Sequence, residues 1–322
     1  MFSVEIFTKR QPPPDLRALE RLLIRLPSNH EKFNVIEDKV YQLRAGYAGE
    51  VEVDQVLPEI GLPKEAIVLK DLRLEILPNY LVQIDTLLIV PQGMILLEVK
   101  KYASETIYFN EEIGKTIKIS QNNVEARYDC AVHQVDRSLH GLKMLLHPKF
   151  PDIPIMPFII MANSKTTVAQ YPQSIPVKYL KQLPKTVRNF LNQQPVMTHH
   201  KIQKTAKFLT LQHQQRKFIP ICERYHIHPE ALKRGVFCTQ CDGKMIVVKG
   251  KTWTCTICKQ TNASAVHDNL QDWFYLINEK AMTAQLKTFL QISSNTTIHH
   301  ILKKSPVQKH GKSKATYYKY QP

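Results

Sequence analysis

Apolar residues in the first half of the chain recur at two different periods. Leu16, Leu19, Leu22, Leu23 and Leu26 follow one another at three- and four-residue spacing, which predicts an amphipathic helix over 16–26. A second helix is predicted from about 30 to 57; it runs through Gly46-Tyr-Ala-Gly-Glu50, where the glycines suggest close backbone packing rather than a break. Strand-like runs follow at 66–72, 80–90 and 94–101, with a fourth at 107–109 or 116–119. Between the middle two, Val90-Pro-Gln-Gly93 suits a tight turn, with proline second and glycine fourth. Helical spacing returns over 130–146 through Val132, Val135, Leu139 and Leu142, and 153–161 reads as a buried strand. Helix, strands, helix, strand is the order of an α/β sandwich with a mixed sheet.

The second half is less regular. Residues 165–205 read as loops with short helices, and 206–234 as mainly helical. Residues 269–293 carry Trp273, Leu276, Leu286, Phe289 and Leu290 at helical spacing. Ser293, Ser294 or Asn295 can cap a further helix over 296–304. The segment Lys309-His-Gly-Lys-Ser-Lys-Ala-Thr-Tyr-Tyr-Lys-Tyr320 can form a small basic hairpin, an arrangement similar to a helix-turn-helix with a β wing. The expected organisation is an N-terminal helical region (1–39), an α/β domain (40–165), a helical connector (166–234), a four-cysteine module (235–262) and a basic C-terminal module (263–322). No internal repeat is visible.

Charge is spread unevenly. Of 44 Lys and Arg and 28 Asp and Glu, residues 201–322 hold 20 basic against 6 acidic, while 1–200 hold 24 against 22. Nearly all of the +16 net charge lies in the last third, which points to a polyanionic partner, nucleic acid being the simplest. The residues expected to meet phosphates are Lys303, Lys304, Lys309, Lys312 and Lys314, with Tyr317 and Tyr318 adding stacking. A solvated basic face is the plainer alternative. No run approaches the roughly 20 apolar residues that cross a bilayer, so no membrane partner is expected. The start has no signal-like apolar core, and four of the six cysteines form two close pairs, as in a metal site of a reducing compartment; a cytoplasmic location is expected.

Within the apolar strands 80–90 and 93–100 stand two acids, Asp85 and Glu98. Burying an uncompensated carboxylate is costly, so two in a sheet centre call for a counter-charge. If Val90 and Gly93 close the hairpin, partners sum to 183 and Asp85 faces Glu98, with Cβ atoms about 4.5–5.5 Å apart. Lys100, two residues on, projects from the same face. Hard carboxylate oxygens in small number suit Mg²⁺ or Mn²⁺. A neighbouring lysine can position or deprotonate a water for phosphodiester hydrolysis.

Gly46-Tyr-Ala-Gly-Glu50, Gln83-Ile-Asp85 and Leu97-Glu-Val-Lys-Lys-Tyr102 together resemble the nuclease-related domain (NERD) family of the PD-(D/E)XK nuclease superfamily. The resemblance covers about 40–160 and implies a mixed sheet flanked by helices. It further implies that Glu50 is the helix acid, Asp85 and Glu98 the metal ligands, Lys100 the catalytic lysine and Gln134 a supporting glutamine. Two stretches depart from the family: Lys101-Tyr-Ala-Ser104 where an Asn-x-x-Gly-like segment is usual, and Asp129-Cys-Ala-Val-His-Gln134 without the usual Asn-Pro.

Cys238-Thr-Gln-Cys241 and Cys255-Thr-Ile-Cys258 have the spacing of a tetrahedral Zn²⁺ site closed by two tight turns, in a zinc-ribbon-like setting around Gly250. Four thiolates leave no open position, so the zinc is expected to be structural. Cys130 and Cys222 read as small core residues. The whole sequence thus predicts a metal-dependent nuclease-like protein that hydrolyses nucleic acid, DNA before RNA, held on it by ribbon and tail. The alternative is a catalytically silent core that only binds. Endo- or exonucleolytic action and oligomeric state are open.

Overall fold

One buried carboxylate of the first half, Asp85, stands at an irregularity in a five-stranded sheet. The computed structural model describes residues 10–103, 106–120, 122–215, 219–249 and 252–321; the Gly250 turn and the Lys314 side chain lie outside what is described. Helix α1 (Pro14–Arg25) opens on proline, whose missing N–H is no loss in a first turn, and α2 (Phe33–Val56) follows. The chain groups into two units, one of Met1–Gln11 with Arg44–Arg216 and the other of Pro12–Leu43 with Lys217–Pro322. The grouping cuts across the five sequence segments, and its boundary falls inside α2.

In the first unit come β1 (Ile67–Leu77), β2 (Tyr80–Val90), β3 (Gly93–Lys100), β4 (Thr106–Asn110), β5 (Lys115–Ile119) and β6 (Glu125–Asp129). They are followed by α3 (Ala131–Leu146), β7 (Ile155–Met161), β8 (Thr167–Gln170), β9 (Val177–Tyr179), α4 (Leu183–Leu191) and α5 (His199–Gln212). The main sheet has the order β1-β2-β3-β7-β9. Its first three strands are antiparallel and β3, β7 and β9 parallel, which is the mixed sheet flanked by helices that the pattern predicts. Both candidate fourth strands exist, as β4 and β5, but they pair in a separate sheet ordered β6-β5-β4-β8. One face of the main sheet is covered by Val132, Val135 and Leu142 of α3 and by Ile202, Ala206 and Leu209 of α5. The other is covered by Val53 of α2 and by Leu183, Val187 and Phe190 of α4.

A regular strand sends alternate residues to opposite faces, yet β2 does not. Val82 and Ile84 line the first core together with Leu87 and Ile89, while Leu88 and Val90 line the second. The same change of parity occurs on β1 between Leu69 and Leu72. The two slips lie opposite each other: Lys70 pairs with Thr86 and Leu72 with Ile84, leaving Asp71, at φ +50°, and Asp85 between. At the other end of β2 the turn glycine, Gly93, sits at φ +135°. A Cβ there would meet the Pro154 carbonyl oxygen at 2.4 Å, so only glycine fits.

The second unit contains α1, the start of α2, α6 (Ile221–Tyr225), β10 (Val236–Phe237), β11 (Lys244–Lys249), β12 (Thr252–Cys255) and β13 (Thr261–Asn262). Then come α7 (Ala265–Leu276), β14 (Lys280–Ala281), α8 (Thr283–Leu290), α9 (Asn295–Lys304), β15 (Val307–His310) and β16 (Tyr317–Tyr320). Helix content between 206 and 234 is lower than expected: α5 stops at Gln212 and α6 has 5 residues. Pro220 and Pro229 interrupt further helix. The helical run over 269–293 is two helices with β14 between them. Asn278 Oδ1 accepts the Lys280 amide and Trp273 Nε1 donates to the Lys280 carbonyl, both at 2.9 Å, turning the chain. The ribbon strands β10-β11-β12-β13 form one sheet and β14-β16-β15 another, and a single core joins Met245, Cys238 and Cys255 to Trp273, Phe289 and Ile301. Among the described residues no helix is long and apolar enough to cross a membrane.

Candidate functional site

Glycine at position 49 brings α2 onto the end of β3. A Cβ on Gly49 would lie 2.9 Å from the Lys101 Cβ and 3.3 Å from the Ala162 Cβ, so a larger residue would push Glu50, its neighbour, away from the sheet. Gly46 has open space around it, and only one of the two glycines serves close packing.

The hairpin register is the expected one over five pairs, from Val90 with Gly93 to Thr86 with Leu97. The ladder then stops, and Asp85 does not stand as a cross-strand partner of Glu98. Because β2 changes parity there, the Asp85 carboxylate turns into the ladder position and its Oδ2 accepts the Val99 amide at 2.8 Å. Asp85 is 8% exposed and Glu98 2%. Burial pushes the Asp85 carboxyl well above the usual carboxylate range, the charges of Glu98 and Glu50 push it further, and Lys100 and the Val99 amide only partly offset them.

Glu98 has its two oxygens in different situations. Oε1 accepts from Lys100 Nζ at 2.8 Å, while Oε2 is buried without a hydrogen-bond partner. Lys100 Nζ also donates to Gln134 Oε1, 2.9 Å away in the first turn of α3. Burial alone would lower the Lys100 amine; Glu98, with help from Tyr102 and Asp85, more than offsets it and holds the amine above its ordinary value. Lys100 is therefore a cation at neutral pH. Glu50 has a cation of its own: its Oε2 accepts from Arg10 NH1 at 2.5 Å. Burial raises the Glu50 carboxyl, Arg10 pulls it back, and Asp71 and Glu98 raise it again.

Arg10 was not foreseen from the sequence. It stands two residues before the proline run at Pro12, with no periodic pattern to mark it. The one available signal was on α2, where Glu50 and Asp54 lie one turn apart on the same face and need a counter-cation.

The two C-x-x-C turns are equivalent. In each, the amide two residues after the first cysteine donates to its sulfur at 3.4 Å, Gln240 to Cys238 and Ile257 to Cys255. The sulfurs of Cys238, Cys241, Cys255 and Cys258 all lie within 4.8 Å of one another. Burial raises the Cys255 thiol, but amides of Cys258 and Ile257 and the neighbouring thiols bring it down to about 6. Four converging sulfurs with amide donors fit a tetrahedral Zn²⁺. Among the described residues this is the one group of three or more His, Cys, Asp or Glu side chains that converges so closely; Glu50, Asp85 and Glu98 do not.

Of the tail residues, Lys303 and Lys304 are exposed at the end of α9 and Lys309 and Lys312 on and beside β15. Ser294 is the cap, its Oγ accepting the Thr297 amide at 3.2 Å. Tyr317 stacks on His310 with ring centroids 5.2 Å apart, but Tyr318 is 7% exposed and belongs to the core. On β16 alternate residues face inward, so the two tyrosines cannot both face solvent.

With this geometry in view, comparison with known families places the α/β unit. Residues 45–162 match the nuclease-related domain. No curated protein and no solved structure matches the chain. The nuclease-related domain match takes in Glu50, Asp85, Glu98, Lys100 and Gln134, together with the parity slip that buries Asp85; Arg10, the four cysteines and the basic tail lie outside it.

Proposed function

We propose that this protein is a divalent-metal-dependent phosphodiesterase that hydrolyses nucleic acid, DNA before RNA, with the nuclease-related domain as its catalytic part. The observation that carries the reading is Glu98: one oxygen is tied to a cationic lysine, and the other is buried and unpartnered beside a second buried carboxylate, Asp85. An orphaned carboxylate oxygen in such surroundings fits Mg²⁺ or Mn²⁺, which take one or two carboxylates and keep several waters. When bound, the ion supplies Lewis-acid stabilisation of charge developing on the phosphate. The chain's own residues do the rest. Asp85 and Glu98 hold the site, Lys100 keeps its proton at Nζ and orients the attacking water by donating to it, and Gln134 fixes the direction of Nζ. Glu50 adds negative charge from α2.

The second unit serves to hold the nucleic acid. Zn²⁺ on Cys238, Cys241, Cys255 and Cys258 fixes the ribbon, and Lys303, Lys304, Lys309, Lys312 and Lys314 meet phosphates. None of the six cysteines is in a disulfide, in keeping with a cytoplasmic setting. A second reading, a silent core used only for binding, is favoured by one observation: Glu50 is engaged by Arg10 rather than by the Asp85 and Glu98 pair.

Incubation of full-length protein with single- and double-stranded DNA and RNA, with Mg²⁺, Mn²⁺ or chelator, separates the two. Cleavage that needs the metal and drops at least about 100-fold in Lys100→Ala supports hydrolysis. Absence of cleavage under every condition, or equal cleavage by Lys100→Ala, overturns it.

A further inference from the structure

The side chain of Arg10 is 2% exposed, and its guanidinium makes five hydrogen bonds. Nε and NH2 donate to the two oxygens of Asp54 at 3.1 and 3.4 Å, and NH1 donates to Glu50 Oε2 at 2.5 Å. NH2 further reaches the Asp85 carbonyl at 3.0 Å and Thr86 Oγ1 at 2.8 Å. Lys70 Nζ lies 3.2 Å from the same Asp54 oxygen. One planar group thus ties two successive turns of α2 to the two residues of β2 at which the strand changes parity. These are the places from which Glu50 and Asp85 enter the candidate site.

From this we infer that Arg10 is a positioning residue of the carboxylate site: its fork holds the Glu50 carboxylate and the Asp85 backbone in fixed relation, and so sets where Glu50 stands relative to Glu98. The inference rests on the proposed hydrolytic reading for its consequence in turnover, but not for its consequence in metal binding. Without the fork, Glu50 is a half-buried carboxylate facing the charges of Asp71 and Glu98, and it turns away toward water. Lysine cannot replace arginine here. It keeps the charge but has neither the plane nor the spread of donors to join Asp54, Glu50 and a strand at once. An effect of charge alone and an effect of geometry are therefore separable by one substitution.

The experiment uses the full chain and compares wild type with Arg10→Lys, Asp54→Asn, Glu50→Gln and the Arg10→Lys/Glu50→Gln double variant. Mn²⁺ affinity is read by calorimetry, and kcat and KM for DNA cleavage at saturating Mn²⁺; circular dichroism melts show that each variant is folded. Asp54→Asn cuts the opposite arm of the clamp, so the test stands even if substitution of Arg10 impairs folding. Arg10→Lys is expected to weaken Mn²⁺ binding about fivefold or more and to lower kcat at least about tenfold with KM within about threefold. Asp54→Asn should do the same to a smaller extent. In the Glu50→Gln background Arg10→Lys should add less than about a factor of two, because both act through one carboxylate. Arg10→Lys within about twofold of wild type in both readouts overturns the inference, as do losses that multiply with Glu50→Gln or a wild type that binds no Mn²⁺. If wild type binds Mn²⁺ with the expected coupling but cuts nothing, the hydrolytic reading fails and the positioning role stands.

Discussion

Asp85 accepts the Val99 amide through its side chain, at 2.8 Å, where a continued ladder would offer a backbone carbonyl. A carboxylate is thereby locked between two central strands, beside the charges of Glu98 and Glu50, and burial above all raises its carboxyl well above the usual range. A group whose folded-state pKa is raised binds more protons folded than unfolded, so stability falls as pH rises from the ordinary carboxylate range through the raised value. With chelator present, wild type should melt lower at neutral pH than at mildly acidic pH. Asp85→Asn keeps the acceptor for Val99 and removes the charge. It should be more stable than wild type at neutral pH, with the gain vanishing in acid. Mn²⁺ should raise the melting temperature of wild type and not of Asp85→Asn. Parallel pH profiles for the two proteins would show that Asp85 is not strained by its charge.

Part of this site was legible in the sequence. The Pro-Gln-Gly turn specifies the hairpin register, and the Val90 to Gly93 closure is the expected one, but counting along it makes Glu98 the cross-strand partner of Asp85, and the ladder stops short of that pair; Gln134 was marked by the family resemblance and not by spacing. The parity slip was not legible. Alternation predicts each face by counting, and nothing in Ile84-Asp-Thr-Leu87 announces that the count restarts there; it restarts where Asp71 and Asp85 fall between the paired residues of two strands with cores on both faces. Arg10 was hidden for a different reason. Its partners are 40 and 44 residues away, and local pattern carries no information about which distant cation answers a pair of helix acids. The tail shows the converse: periodicity located Trp273 and Phe289 correctly but could not see the Asn278 turn that divides their helices.

Zinc removal should affect more than the ribbon. Cys238, Cys255 and Met245 share a core with Trp273 and Phe289, so collapse of the site uncovers the helices that follow. Protein purified without chelator should carry about one Zn²⁺ per chain. Cys255→Ser, or treatment with a strong zinc chelator, should lower the melting temperature and shift tryptophan emission to the red as Trp273 meets water. Metal loss should also grow as pH is lowered, because each sulfur must be deprotonated to ligate. A chain that contains no zinc, or a Cys255→Ser variant that melts with wild type, would remove the metal from the fold.

Asp272 is a buried acid set between two buried arginines of the second unit. It is 1% exposed and accepts from Arg21 at 2.6 and 2.7 Å and from Arg25 at 2.7 Å. Asn269 Oδ1 takes a further donor from each arginine, and the Arg25 guanidinium lies 4.2 Å from the Phe289 ring centroid. Removing the anion leaves two desolvated cations facing each other, whereas removing Arg25 leaves a one-to-one pair. Asp272→Ala should therefore cost about 3–5 kcal/mol. Arg25→Met, which fills the space between the Phe237 and Phe289 rings with apolar volume, should cost less. Urea unfolding followed by circular dichroism measures both; a larger loss for Arg25→Met would mean that the cation, not the anion, organises the cluster.

The basic end of α9 tests the division of labour between the two units. Ile298, Ile301 and Leu302 face the core, while His299, His300, Lys303 and Lys304 are exposed. The strands β14, β16 and β15 close the same core through Tyr318. Substitution of Lys303 and Lys304 by alanine leaves that packing untouched, so the melting temperature should not change. If these lysines neutralise phosphates, each one lost removes counterion release and flattens the plot of log affinity against log salt by about 0.9 for duplex DNA or about 0.7 for a single strand. The double variant should bind more weakly at low salt and show a slope shallower by about two such steps, whatever the sequence of the probe. The size of the step then also reports whether α9 meets a duplex or a single strand. An unchanged slope would assign the grip to Lys309 and Lys312 or to the ribbon, and would leave α9 as a helix that only covers its core.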